Sequence, residues 1–193
     1  MRYNAAVALL VVDVQNDFAD PGGALHVAGG ELIIPFINEQ IAAARAADSM
    51  VVYSQDWHPP STPHFAKDGG IWPVHCVADT WGAALHPDLV VDGPIVRKGT
   101  AGEDGYSAFH IRDPASGAIA PTELATLLEE HGVKTVVVAG LATDYCVRAT
   151  ALDAVASGFE TIVLAAGIRP VDLEPGDGDR ALSEMAAAGI SIT

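Results

Sequence analysis

Cys146 is the residue in this sequence best placed to act as a nucleophile. It lies in the segment Gly140-Leu-Ala-Thr-Asp-Tyr-Cys146-Val, where an apolar strand pattern ends at Gly140 and a helical pattern begins near Asp144. A thiol in the first turn of a helix faces unpaired amide hydrogens, which favour the thiolate and lower its pKa from about 8.5 toward neutrality. The same amides could bind an oxyanion. The alternative is that Cys146 is a small buried apolar residue, as most lone cysteines are.

An acidic residue and a basic residue also lie at the ends of predicted strands. Asp13 follows the apolar run that starts at Val7, and Lys98 closes Ile95-Val-Arg-Lys98. In open α/β sheets, ligands bind outside the carboxyl ends of the strands, so these two side chains and the thiol should meet at one edge. Each also has a structural interpretation, because a strand-end Asp often caps a turn and a strand-end Lys often extends to water.

A cluster of potential metal ligands follows the second predicted strand. Asp56 and His58 can project to one side of an extended segment, and the proline-rich chain that follows can bring His64 and His75 close to them. One carboxylate with two or three imidazoles suits Zn²⁺, Fe²⁺ or Mn²⁺ and leaves positions open for water or substrate. A single histidine on a protein surface is more often a hydrogen-bonded side chain than a metal ligand. His86 has no such neighbours in sequence and is interpreted as a turn residue.

Several common catalytic signatures are missing from the sequence. It contains no Walker phosphate loop, no GxGxxG after a strand, no GxSxG nucleophile elbow and no HExxH helix. Nucleotide hydrolysis, dinucleotide redox chemistry and a serine triad therefore lack support. Asp17 and Asp20 could suggest a phosphatase, but the second carboxylate expected two residues after Asp13 is replaced by Gln15.

The elements that position these residues alternate between short apolar strands and longer alanine-rich helices. This alternation predicts a single-domain, doubly wound, Rossmann-like α/β fold: a six-stranded parallel sheet with helices on both faces. The predicted strands span 6–13, 50–54, 94–98, 135–139, 161–164 and 190–192. The predicted helices span 31–47, 121–131, 144–157 and 178–188, with Pro121 in a first turn.

Two segments, 55–87 and 99–120, do not fit the alternation. Loops of this length in a compact domain are usually functional or disordered. The first holds four of the seven histidines, all three tryptophans and Cys76, which favours a functional role. The second is glycine-rich and is interpreted either as a mobile loop that covers the site or as a surface loop without a function.

Composition limits the classes of partner. The chain has 193 residues, half of them apolar, and carries 10 basic against 25 acidic residues, a formal charge of −15. Such a charge opposes binding to nucleic acid or to an anionic membrane, so we expect a small-molecule partner. Two cysteines form no disulfide framework, and no apolar stretch reaches the roughly 18 residues of a spanning helix. We therefore expect one domain over residues 1–193, located in the cytoplasm, and homo-oligomerisation remains open.

Together these motifs resemble a known family. Val11-Val-Asp13-Val-Gln-Asn-Asp-Phe18, Asp56-Trp-His58-Pro, Trp72-Pro-Val-His75-Cys, Val96-Arg-Lys98-Gly and the Cys146 segment occur in order over essentially the whole chain. They are similar to the nicotinamidase/pyrazinamidase branch of the isochorismatase-like cysteine hydrolases. The Asp, Lys and Cys motifs are common to that superfamily. The four potential metal ligands are particular to the branch.

The resemblance implies a set of roles. Asp13, Lys98 and Cys146 would form a catalytic triad, and Asp56, His58, His64 and His75 would bind one divalent metal ion beside it. Phe18 and Trp72 would form aromatic walls around a pyridine ring, and the backbone amides of Ala142 and Cys146 an oxyanion hole. The Leu141–Ala142 bond would be cis. Tyr106 and Tyr145 lie where family members vary.

The implied reaction is hydrolysis of nicotinamide through a cysteine thioester, with the metal holding the ring nitrogen. Three alternatives remain: a related hydrolase of a small non-aromatic amide or ureido compound, a metal-hydroxide hydrolase in which Cys146 is structural, and an inactive binding module. Metal content, trapping of an acyl adduct on sulfur and release of ammonia distinguish them.

Overall fold

The computed structural model describes residues 2–193 and contains a six-stranded parallel sheet. Its strands are β1 (Val7–Val12), β2 (Met50–Asp56), β3 (Ile95–Lys98), β6 (Thr135–Leu141), β7 (Glu160–Arg169) and β8 (Ser191–Ile192). A separate antiparallel hairpin is formed by β4 (His110–Arg112) and β5 (Ile119–Pro121). The order across the sheet is β3-β2-β1-β6-β7-β8, which is the doubly wound arrangement predicted from the sequence.

Helices cover both faces of the sheet. They are α1 (Asn16–Ala19), α2 (Ile34–Ala46), α3 (Leu124–Glu130), α4 (Arg148–Ala156) and α5 (Asp177–Ala187). Because successive side chains of a strand point to opposite faces, Leu9 of β1 packs in the core beneath α2, whereas Leu10 packs in the core shared with α3 and α4. The uniformly buried β1 is typical of a parallel strand covered on both sides. No helix among residues 2–193 is long and apolar enough to cross a membrane.

Three strands extend beyond their predicted ends, and this extension affects the site. β2 continues to Asp56, β6 to Leu141 and β7 to Arg169. Polar residues in the extension of β2, and Gly140 and Gly167 in those of β6 and β7, interrupted the apolar strand pattern, so the sequence alone suggested earlier termination. Asp56 is therefore held in the sheet itself, paired in register with Lys98 on β3.

The helix predicted to start at Pro121 begins three residues later. Pro121 instead ends β5, where it lies opposite His110 of β4. The hydroxyl of Thr122 then donates to the carbonyl of Ala108 at 2.7 Å and accepts the amide of Leu124 at 3.2 Å. These bonds stabilise the hairpin end, and they explain why the favourable position of proline in a first helical turn does not decide the structure here.

The strand order reverses between β1 and β6, which are adjacent in the sheet although their chain connections run in opposite directions. At such a point the carboxyl ends of the two strands leave a crevice in which α/β proteins bind ligands. Asp13 follows β1, and the turn that carries Cys146 follows β6. The topology therefore places both residues at the mouth of this crevice.

Candidate active site

Asp13, Lys98 and Cys146 meet in a buried cluster at the crevice. The ammonium nitrogen of Lys98 lies 2.9 Å from a carboxylate oxygen of Asp13 and 3.6 Å from the sulfur of Cys146. A carboxylate oxygen of Asp13 also lies within 4.8 Å of that sulfur. The sequence predicted the meeting of these three residues at one edge, and the structure shows that all three are buried.

Burial and ion pairing act against each other in this cluster. Burial raises the pKa of Asp13, and the nearby Lys98 ammonium only partly opposes the rise. Burial alone would lower the pKa of Lys98, but the carboxylates of Asp13 and Asp56 raise it well above its ordinary value. Lys98 is therefore a fixed positive charge, while Asp13 is a carboxyl group adapted to accept and return a proton.

The pKa of the Cys146 thiol in the resting site differs from the value expected for a cysteine in the first turn of a helix. Cys146 lies in a turn of π-helix, Thr143–Val147, that precedes α4. Burial raises the pKa of this thiol well above its ordinary value, and Lys98 offsets this only in part. The prediction of a pKa lowered toward neutrality is thus wrong for the resting site, because the sulfur is removed from water. The thiol needs a base, and Asp13 is the adjacent one.

Three histidines form a second cluster beside the first. His58, His64 and His75 are all buried, and each offers a ring nitrogen within 4.8 Å of those of the other two. The remaining predicted ligand, Asp56, lies 3.8 Å from His58 Nε2 and 4.0 Å from His75 Nε2. Asp56 also pairs closely with Lys98. Burial alone would raise the pKa of Asp56, but Lys98, His58 and His75 together hold it well below its usual range. Lys98 thus links the two clusters.

The chemistry of the histidine cluster fits a divalent metal. His64 uses Nδ1 to contact the carboxylate of Asp104 at 2.9 Å, and His75 uses Nδ1 to contact the carbonyl of Pro73 at 2.7 Å. Such bonds leave Nε2 as the free ligand atom, as in known metal-binding histidines. Both ring nitrogens of His58 are buried with no hydrogen-bond partner among residues 2–193, which is costly unless something binds there. Burial lowers the pKa of His75 to about 4, so its ring is neutral and able to bind a metal.

A largely apolar pocket opens onto both clusters. Phe18 of α1 and Trp72 both line it and are almost fully buried, as the proposed aromatic walls require. Trp72 is fixed by a 3.1 Å hydrogen bond from its indole nitrogen to the hydroxyl of Tyr106, and its ring packs edge-on against Tyr145. The two tyrosines therefore belong to the pocket lining.

The turn after β6 places backbone groups beside the sulfur. Ala142 and Cys146 both line the pocket. The carbonyl of Ala142 accepts the amides of Tyr145 at 3.1 Å and Val147 at 3.0 Å, and these bonds fix the turn on either side of Cys146. The peptide bond between Leu141 and Ala142 is cis, in agreement with the expectation.

Sequence reasoning missed several groups that hold the site together. Ser54 donates to Asp13 at 2.7 Å, and Gln15 forms hydrogen bonds with both the amide and the carbonyl of Asp56 at 2.8 and 2.7 Å. Asp104 contacts His64 from a segment 40 residues away. The position of Gln15, two residues after the predicted end of the first strand, could have indicated a role at this edge of the sheet. Nothing local in the sequence marks Ser54 or Asp104.

Two other residues have structural roles. Asp17 accepts the amides of Ala24 and Cys76 at 3.0 and 2.7 Å, so its carboxylate fixes two loops together. His86 is buried, and its Nδ1 accepts the amide of Asp88 at 3.2 Å, which agrees with its interpretation as a turn residue. Both residues are outside the pocket lining.

The fold and site define a doubly wound α/β protein with a buried Asp-Lys-Cys cluster beside a potential metal centre. Comparison with known proteins agrees with this class. The sequence profile of the Isochorismatase domain matches residues 7–193, so the chain belongs to the isochorismatase family. A nicotinamidase of Escherichia coli is 38% identical over 204 residues, covering 96% of this chain and 93% of that protein.

Two solved structures are similar in both fold and sequence. The pyrazinamidase of Pyrococcus horikoshii in complex with zinc superposes with a TM-score of 0.86 at 43% identity, covering 97% of this chain and 98% of that one. PnC1 from L. infantum in complex with nicotinate superposes with a TM-score of 0.90 at 35% identity, covering 100% and 95% of the two chains.

Proposed function

We propose that this protein hydrolyses nicotinamide, and also pyrazinamide, to the carboxylic acid and ammonia through a thioester on Cys146. The observation that carries the proposal is that a buried thiol with an adjacent carboxyl and ammonium opens onto the same aromatic pocket as three clustered histidines. The relatives named for nicotinamide or pyrazinamide, and the neighbour that binds nicotinate, support the substrate class. Such a reaction belongs to pyridine nucleotide salvage.

The first half of the reaction forms the thioester. Asp13 takes the proton of the Cys146 thiol, and the resulting thiolate attacks the carboxamide carbon. The amides of Ala142 and Cys146 stabilise the negative oxygen of the tetrahedral intermediate, where loss of one such donor costs about 3 kcal/mol. As the carbon–nitrogen bond breaks, Asp13 returns its proton to nitrogen, and ammonia leaves.

The second half of the reaction releases the acid. Asp13 accepts a proton from water, and the hydroxide so formed attacks the thioester carbonyl. The carbon–sulfur bond then breaks and the proton on Asp13 returns to sulfur. The carboxylic acid is released as product, and the free thiol of Cys146 is restored. Lys98 keeps its charge throughout and stabilises the negative charge that appears first on sulfur and then near Asp13.

Asp56, His58, His64 and His75 would hold one divalent metal ion, and the bound ion would supply a ligand position for the pyridine nitrogen. Phe18 and Trp72 would enclose the ring. Together these contacts would fix the carboxamide over the sulfur and so reduce the entropic cost of reaching the geometry of attack. Zn²⁺, Fe²⁺ and Mn²⁺ all suit three imidazoles and a carboxylate.

The proposal extends to the organisation of the protein. We assign the whole chain, residues 1–193, to one catalytic domain, since both core clusters contribute to the walls of the pocket. A cytoplasmic location agrees with two buried cysteines that are both unpaired.

The test is an ammonia-release assay on nicotinamide, pyrazinamide and an aliphatic amide, with metal analysis of the same preparation. We expect turnover of both aromatic amides, little with the aliphatic amide, and about one divalent metal per chain. Mass spectrometry should detect an acyl adduct on Cys146. Preference for the aliphatic or a ureido substrate would favour the related hydrolases, whereas turnover by a metal-loaded Cys146→Ala variant would favour a metal-hydroxide mechanism.

A further inference from the structure

The glycine-rich segment 99–120, whose Tyr106 lines the pocket, also lies against the histidine cluster. At its start, Gly99 approaches His58 so closely that an added Cβ would lie 2.5 Å from Nδ1 of that ring. The carbonyl of Gly102 accepts the hydroxyl of Thr62 at 3.2 Å. Asp104 then contacts Nδ1 of His64 at 2.9 Å. Three successive contacts thus connect this segment to the loop that carries two of the histidines.

The contact between Asp104 and His64 determines which nitrogen of the ring is free. A carboxylate only accepts hydrogen bonds, so Nδ1 of His64 must carry the proton and donate it. In the neutral ring Nε2 then keeps its lone pair, and a metal needs that form of the ring. The same carboxylate oxygen also accepts the amide of Gly105 at 2.8 Å, which limits its movement.

The β4–β5 hairpin holds Asp104 in turn. The amide of Asp104 donates to the carbonyl of Arg112 at 2.7 Å, and the amide of Arg112 donates to the carbonyl of Asp104 at 2.6 Å. The Arg112 guanidinium pairs with the second carboxylate oxygen of Asp104. Both oxygens are therefore engaged, one toward the histidine and one toward the hairpin.

We propose that Asp104 is the positioning residue for His64, and that segment 99–120 with its hairpin is part of the support of the metal centre. Asp104 acts through His64 by fixing the orientation and tautomer of the imidazole. This inference rests on the metal site in the proposed function. Loss of such a carboxylate partner typically weakens metal binding about 10- to 100-fold.

The experiment measures zinc affinity of the metal-free protein by competition with a chromophoric chelator, without substrate. We expect Asp104→Ala to weaken zinc binding about 10- to 100-fold. Asp104→Asn, whose side-chain oxygen can still accept from Nδ1, should recover most of that loss. The matched control is Glu103→Ala, which removes the neighbouring carboxylate that only accepts the amide of Ala101. This control should bind zinc as the wild type does.

A second measurement does not depend on the variants folding. Nitrogen-15 NMR of the metal-free wild type should show His64 protonated on Nδ1, with the signal assigned by its loss in His64→Gln. Protonation on Nε2 would overturn the inference.

Three outcomes of the zinc titration would also overturn the inference: affinity unchanged in Asp104→Ala, equal loss in Glu103→Ala, or no zinc binding by the wild type. Zinc binding with the expected pattern of variants, but no release of ammonia from nicotinamide, would instead reject the proposed function and leave this inference standing.

Discussion

Ser54 donates its hydroxyl to Oδ1 of Asp13 at 2.7 Å, and both side chains are completely buried. Lys98 lies 2.9 Å from the other carboxylate oxygen. The carboxyl plane of Asp13 is therefore fixed by a partner on each oxygen. Since Ser54 lies on β2 and Asp13 directly after β1, the register between these two strands creates this arrangement.

Replacement of Ser54 by Ala should lower kcat about 10-fold, because a hydrogen bond to a charged group contributes about 1.5 kcal/mol. KM should change little, since Ser54 does not line the pocket. Ser54→Thr, which keeps the hydroxyl, should restore most of the rate. Steady-state kinetics together with the melting temperature of each variant provide the check. A proportional loss in both Ser54→Ala and Ser54→Thr would show that Ser54 contributes packing alone.

The two cysteines provide a matched pair for testing the nucleophile. Cys146→Ala should lower kcat by about 10³-fold or more, because it removes the group that forms the covalent bond. Cys76→Ala should have a mild effect, since Cys76 is buried outside the pocket lining. Ammonia release and circular dichroism of both variants make the comparison. Equal losses in the two variants would contradict the assignment of Cys146.

The reactivity of Cys146 should rise with pH beyond the range of an ordinary thiol. Burial raises the pKa of this thiol, so its thiolate fraction continues to increase above about pH 8.5. The rate of alkylation by iodoacetamide, measured on a metal-free Cys76→Ala background so that Cys146 alone reports, should follow that rise. A plateau below about pH 7 would indicate a stable thiolate and the lowered pKa first expected from the helix terminus.

Metal removal should separate substrate positioning from nucleophile formation. Chelation, or His58→Ala, should raise KM for nicotinamide and lower its turnover, because the ring nitrogen would lose the ligand position that we propose the metal supplies. Cys146 should still be alkylated, since Asp13 and Lys98 remain beside it. Adduct mass and turnover are compared in metal-loaded and chelated wild type. Loss of alkylation on chelation would show that the metal is needed for the thiol to react.

Alanine substitutions at Gly99 and Gly117 test whether the close approach of the chain to His58 is needed for zinc binding. Both have positive φ, +80° and +72°, so an alanine at either position carries similar backbone strain, about 1 kcal/mol. At Gly99 the added Cβ would lie 2.5 Å from the ring of His58, whereas at Gly117 no atom of the described part of the chain lies within 4 Å of it. Gly99→Ala should therefore weaken zinc binding and Gly117→Ala should not, although both lower the melting temperature. Similar zinc affinity in both variants would mean that the ring of His58 can shift freely.

The sequence by itself determined the sheet and the meeting of Asp13, Lys98 and Cys146. Strand periodicity is local, and the carboxyl ends of parallel strands share one edge, so residues that end strands must converge there. The concentration of Asp56, His58, His64 and His75 in one stretch of the chain was visible for a similar reason, because these residues are close in sequence.

Only the tertiary structure decided which groups hold those side chains and how far their pKa values are shifted. Ser54 lies 41 residues from Asp13 and Asp104 lies 40 residues from His64, so no local pattern could connect them. The pairing of β4 with β5 overrode the helix-favouring position of Pro121. The pKa of Cys146 depended on how far the packed chain excludes water from the sulfur, and that exclusion exists only once β1, β3 and the turn after β6 are assembled.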